Sequence, residues 1–208
     1  MSRYQSTSLY LYPGTNTLKN NWGIKDEKKL KVYEIGYVGA RINQLLESPY
    51  KGNFDFDHLK AIHKYIFQDA YPFAGQIRSE NIQKGSTRFA QVMHIESSAA
   101  TLFLELEDEK ENLKTLNKKE FADRTAYYMA ELNVLHPFRE GNGRTTREFI
   151  RAFCLNYGYD LAFNKVDKDI VLQASIRSTL DYKPLANIIE QCLDKSKILE
   201  KKKDDYER

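Results

Sequence analysis

The 208 residues include 41% hydrophobic side chains with 14 Tyr and 11 Phe, which fits one domain with a true apolar core and excludes disorder, collagen-like repeats and a disulfide-dense scaffold. With 32 Lys and Arg against 29 Asp and Glu, the net charge of +3 is too small and too well mixed for a non-specific nucleic-acid binder. No apolar run reaches the ~20 residues of a membrane helix, and Met1 to Gln5 lead into no apolar signal core, so the expected location is the cytoplasm.

Sparse Gly and Pro and long stretches of 3.6-residue periodicity predict a mainly α fold with few strands. After an irregular lead over residues 1–25, Asp26 is placed to cap a helix running to about Leu46, with Leu30, Tyr33, Tyr37 and Ala40 on its inward face. A second helix starts near Asp55 or Asp57, buries Leu59, Ile62 and Ile66, and ends at Tyr71-Pro72 and Gly75. His58 and His63 on it read as packing or surface histidines, since a spacing of i, i+5 does not share a helical face for a metal. Residues 77–92 fit a β-hairpin around Gln83-Lys84-Gly85-Ser86.

Ser97 or Ser98 is expected to open a helix with Ala99, Leu102, Phe103 and Leu106 inward and a solvated acidic face of Glu105, Asp108, Glu109 and Glu111. Asn117 and Glu120 make a capping box ahead of Phe121, Thr125, Tyr128, Leu132 and Leu135, and this helix delivers His136. A core helix with Phe149, Ile150 and Phe153 ends at Gly158. Asp167 caps a shorter helix to about Ser178, and Pro184 begins the last, with Leu185, Ile188, Ile189, Cys192 and Leu193 on one stripe. Cys154 and Cys192 lie in apolar stretches without metal-type spacing and read as buried thiols. The domain is expected to close at residue 193, leaving 194–208, six basic and five acidic residues, as a charged tail.

The chemistry concentrates in residues 136–147, His-Pro-Phe-Arg-Glu-Gly-Asn-Gly-Arg-Thr-Thr-Arg. Gly141, Asn142 and Gly143 allow positive-φ geometry that turns backbone N–H groups inward just where a helix begins, which makes an anion nest for phosphate. Arg144 and Arg147, three apart, can each fork onto phosphate oxygens, so a polyphosphate is expected. Glu140 is the lone carboxylate in this cationic loop and suits Mg²⁺ shared with phosphates. His136 can accept a proton from a hydroxyl near neutral pH. Each feature alone is commonly a helix end, a turn or a surface arginine; their joint occurrence in twelve residues points to displacement at a nucleotide phosphate.

This segment matches the HPFx(D/E)GNGRxxR signature of the Fic family at every position, and the chain is identified as resembling that family over roughly residues 8–193. Residues 54–63 and the Pro72-Phe73-Ala74-Gly75-Gln76-Ile77-Arg78 run resemble its preceding helix and the entry to its flap. The lead around Tyr10 to Gly14 and Asn20 to Ile24 is similar to that of the stand-alone class I toxins of the FicT type. The resemblance implies a compact helical Fic fold with a small β-hairpin flap, and an enzyme that transfers AMP from ATP to a hydroxyl of a target protein. It makes His136 the general base, Glu140 the Mg²⁺ ligand, Gly141, Asn142 and Gly143 the anion hole, and Arg144 and Arg147 the holders of the β- and γ-phosphates. Ile82, Lys84 and Phe89 fall on the flap that pins a target segment by strand addition.

Implied targets carry a Ser, Thr or Tyr hydroxyl, either the ATPase subunits of DNA gyrase or topoisomerase IV or, for a secreted effector, a host protein. A Doc-like kinase has Lys in place of Gly143; that kinase, another nucleotidyl transferase and a catalytically silent nucleotide-binding module are the alternatives. Family members are held off by an (S/T)xxxE(G/N) helix whose glutamate pairs with the second motif arginine, here Arg147. No complete copy occurs: Glu80, Glu111 and Glu140 are preceded by Gln76, Glu107 and His136, and Ser196 to Glu200 ends in Lys201. A small separate antitoxin is therefore the expected partner.

Overall fold

The computed structural model describes residues 8–85 and 87–196. Among these residues seven α-helices surround a continuous core, with two small antiparallel strand pairs at its margin. The fold is mainly α, as the periodicity predicts. None of the described helices is long and apolar enough to cross a membrane.

Helix α1 (Glu27–Glu47) starts where the Asp26 carboxylate accepts the Lys29 N–H, and α2 (Phe56–Phe67) where Asp55 accepts that of His58. The inward face of α1 differs from expectation: Leu30, Val38 and Leu45 are buried, whereas Tyr33 and Tyr37 stay largely exposed and pack their rings on Trp22. The aromatic pair covers the lead segment rather than the core.

The hairpin is shorter than the 77–92 expected. Strands β1 (Gln83–Lys84) and β2 (Thr87–Arg88) pair over two residues each. The flanking residues turn instead to the end of helix α4 (Lys118–Leu135), with Arg78 N–H donating to Pro137 O and Ala90 N–H to Val134 O.

Helix α3 (Ile95–Leu113) begins ahead of Ser97, whose hydroxyl donates back to the His94 carbonyl instead of capping. Its acidic face is only partly solvated. Glu109 takes Arg124 of α4 through two contacts and Glu105 takes the same guanidinium, while Tyr127 and Tyr128 donate to these carboxylates. Asp108 and Glu111 face outward. The capping box of α4 forms, Asn117 and Glu120 each satisfying the other's backbone.

Helix α5 (Asn142–Asn156) ends at Gly158, which has φ +87°. Strand β3 (Tyr159–Leu161) leads to α6 (Lys168–Arg177), capped by Asp167, and to α7 (Lys183–Cys192). The boundary expected between the domain and its charged tail, after residue 193, lies within strand β4 (Leu193–Lys195), which pairs with β3, and Ser196 beyond it is buried. Tyr159 and Leu161 offer the backbone edge that the charge pattern of the segment conceals. Residues 197–208, with Lys201–Lys203 and Glu200, lie outside the described residues. Both cysteines are buried and free.

Candidate active site

Helix α4 stops at His136, which takes a left-handed conformation (φ +43°, ψ +59°). Pro137 disfavours a helical residue before it, so the chain must turn here. His136 Nδ1 lies 3.2 Å from the Asn133 carbonyl. A carbonyl only accepts, so Nδ1 carries the proton and Nε2 keeps its lone pair. Phe89 stacks on the imidazole at 3.6 Å. Partial burial, together with the Arg78 and Lys84 cations, lowers the His136 pKa to about 4, against the hydrogen bond to Asn133.

The loop to α5 is built from inside. The Asn142 side chain clamps Phe138, its Oδ1 accepting the Phe138 N–H and its Nδ2 donating to the Phe138 carbonyl. Asn142 therefore presents only its backbone N–H to a ligand. As first residues of α5, Asn142 and Gly143 have no intrahelical acceptor for their N–H groups. The Gly141 N–H is already taken by Glu140 Oε1 at 2.8 Å. Positive φ is needed at Gly141 alone (+82°), where a Cβ would also sit 2.2 Å from the Phe67 ring. Gly143 is helical, and a Cβ there would meet Arg147 Nη1 at 3.3 Å.

Arg144 is held at both ends. Its Nη1 lies 2.6 Å from Glu34 Oε1 on α1, its Nη2 3.3 Å from Glu140 Oε1, and its guanidinium rests over the Phe67 ring. Tyr71 donates its hydroxyl to the other oxygen of Glu34. Arg147 lies at the exposed rim.

Three functional neighbours escape the sequence reading. Glu34 stands in a polar stretch with no local signature. His63 is fully buried, accepts the Gly75 N–H at Nδ1 and therefore donates from Nε2 to the Glu140 carbonyl, while its ring stacks on Phe138 at 3.9 Å. Its position on the apolar stripe with Leu59, Ile62 and Ile66 is a sequence signal that favours packing over the surface but does not reveal a contact to the loop. The third neighbour is the α6 wall, where Leu172, Ser175 and Ile176 face the site.

All the sequence-predicted residues converge. Ile82, Lys84 and Phe89 of the flap, His136, and Glu140 through Arg144 with Arg147 line one cavity of about 670 Å³. Cationic arginines, open helix amides, one carboxylate and a histidine with a free nitrogen lone pair can bind a phosphate chain and accept a proton beside it. Among the described residues no group of three or more His, Cys, Asp or Glu is arranged to hold a metal ion.

Known proteins resemble the chain in sequence and in fold. The chain is 41% identical over 179 residues to protein adenylyltransferase VbhT of Bartonella schoenbuchensis, covering 86% of this chain and 37% of that larger protein. It is 37% identical to the Sinorhizobium fredii protein named "Probable protein adenylyltransferase y4lH", covering 93% of this chain and 100% of the relative. The crystal structure of BepC from Bartonella tribocorum with bound AMPPNP superposes with a TM-score of 0.83 at 29% identity, over 90% of this chain and 97% of that one. The profile of the Fic/DOC family matches residues 53–154. Together with the full-length match to y4lH, this means that the chain belongs to the Fic/DOC family.

Proposed function

We propose that this chain is a protein adenylyltransferase that transfers AMP from ATP to a Ser, Thr or Tyr hydroxyl of a target protein. The observation that carries the reading is the convergence, in one cavity, of a histidine whose Nε2 is an open acceptor with an arginine-flanked helix N-terminus. The target hydroxyl oxygen attacks the α-phosphorus, its proton passes to His136 Nε2, and the bond from the α-phosphorus to the bridging oxygen breaks to release pyrophosphate. The Asn142 and Gly143 amides, Arg144 and Arg147 hold the phosphate chain.

The Glu140 side chain fits a role as Mg²⁺ ligand: it is 41% exposed in the cavity and uses only Oε1 in the contacts to Gly141 and Arg144. Such an ion, when bound with ATP, neutralises charge on the phosphate oxygens. The target segment docks along the flap, past Ile82, Lys84 and Phe89. Bacterial gyrase or topoisomerase IV subunits and host proteins are the candidate targets. A small antitoxin carrying the (S/T)xxxE(G/N) motif would place its glutamate on Arg147; co-expressing such a neighbouring reading frame is expected to restore growth to cells halted by this chain, and unchanged growth arrest counts against that partner.

The test is label position. With bacterial lysate and Mg²⁺, α-labelled ATP is expected to label a protein band and γ-labelled ATP is not. Label arriving from the γ position would make this a kinase of the Doc type.

The kcat/KM for transfer, which reports the free protein, is expected to stay flat through neutral pH and to fall only as the pH drops toward about 4, because the base works when neutral. Bound triphosphate, being anionic, raises that pKa, so the fall comes at higher pH for the ATP complex than for the free protein. A histidine NMR titration with and without ATP reads the shift.

A further inference from the structure

Arg78 is 1% exposed and heads the largest fully buried side chains. Among the described residues no carboxylate lies within ion-pair distance of it, and burial lowers its pKa from the ordinary value. A buried cation of this kind is costly unless hydrogen bonds satisfy it. It spends its donors on three backbone carbonyls. Nε donates to His136 O at 2.9 Å, Nη1 to Glu80 O at 2.8 Å, and Nη2 to Ala90 O.

Those acceptors are not an arbitrary set. Glu80 and Ala90 are the two roots of the flap hairpin, and His136 carries the proposed base. The main chain repeats the connection through Arg78 N–H to Pro137 O and Ala90 N–H to Val134 O. Phe89, next to Ala90, lies flat on the His136 ring. The three bonds leave from three different nitrogens of the guanidinium; a lysine ammonium also has three N–H donors but presents them all from one nitrogen, so it does not span the same acceptors.

We propose that Arg78 is a positioning residue: its guanidinium fixes the separation between the flap roots and His136, so that a target segment seated on the flap meets the imidazole at a set distance. The part of this statement that concerns the target rests on the transferase reading above. The joint itself is a statement about the protein alone.

The experiment compares Arg78→Lys and Arg78→Met with the wild-type chain by NMR and hydrogen exchange. In the wild type, the His136 ring protons, assigned by their loss in His136→Asn, lie in the shielding field of Phe89. In Arg78→Lys that shielding is expected to disappear and the Ala90 amide to exchange at least about tenfold faster, while amides of α5 and α7 and the affinity for ATP stay within about twofold. Labelling of the lysate band from α-labelled ATP drops about tenfold or more, with loss in kcat for the bound target.

Unchanged shielding and Ala90 protection in Arg78→Lys would overturn the proposal. So would, in a variant that still folds cooperatively, a parallel loss of protection in every helix, which marks a residue that only stabilises the whole fold. Should both variants fail to fold, the wild type still decides: the Arg78 Nε–H must be slow to exchange and coupled through its hydrogen bond to the His136 carbonyl carbon, and a freely exchanging Nε–H rejects the joint. If the wild type labels no band, the transferase reading fails while the NMR result continues to judge Arg78.

Discussion

Replacing His136 by alanine is expected to lower AMP transfer by about 10² to 10⁴ while ATP binds within about twofold of its original affinity. The two effects separate because the imidazole makes no part of the phosphate nest. Its Nδ1–H is tied to Asn133 and its ring to Phe89, so only Nε2 is left for chemistry. The substitution leaves no buried charge, and the Arg78 contact to His136 uses the backbone carbonyl, which alanine retains. Single-turnover transfer from α-labelled ATP and calorimetry of ATP binding read the two quantities. A variant that transfers at the original rate would remove His136 from the mechanism.

The two motif arginines are expected to fail differently when truncated. Arg147 makes no hydrogen bond or ion pair among the described residues, so for Arg147→Ala the affinity for ATP is expected to fall roughly tenfold to a hundredfold, the range of a lost charge-assisted hydrogen bond, with little change in thermal stability. Arg144→Ala is expected to weaken ATP to a similar degree and also takes from Glu34 its cationic partner, leaving it the Tyr71 hydroxyl. Breaking a fully buried pair costs roughly 3 to 5 kcal/mol. Here the side chains are 28% and 14% exposed, so solvent screening reduces the expected loss to roughly 1 to 2 kcal/mol. Denaturant unfolding beside calorimetry distinguishes them; equal stabilities would show that Glu34 gains nothing from Arg144. Glu34→Gln in the Arg144→Ala background should recover part of the lost stability, since it removes the stranded charge.

The candidate loop is legible because its residues are contiguous: the histidine, the carboxylate, the glycines and both arginines fall within twelve positions and line one cavity. Helix starts were legible for a similar reason, since Asp26, Asp55, Asn117 and Asp167 act on N–H groups two or three residues away. What was missed acts across the fold. Glu34 reaches Arg144 from another helix, His63 reaches the Glu140 carbonyl, and Leu172 and Ile176 come to the cavity from α6. No local pattern encodes such meetings. The acidic face of α3 misled for the same reason, because Arg124, which takes Glu105 and Glu109, lies on the next helix. In sequence Arg78 is only the end of a run leading into the hairpin, and nothing local to it signals that the cation is buried.

The ring of Phe67 has a consequence for how this site can change over generations. One face of the site leans on it twice, through the Arg144 guanidinium above the ring and through the bare Cα of Gly141, where a methyl group would lie 2.2 Å from the ring carbons. The two positions are thus historically bound. A lineage that first shrinks residue 67 relieves the steric barrier at 141 but still faces the left-handed backbone there, and it loses the support of the arginine at once. A lineage that first enlarges residue 141 meets both obstacles together. Neither order gives a neutral intermediate, so the aromatic on α2 and the glycine of the loop are expected to be inherited as a unit, although 74 positions of sequence separate them.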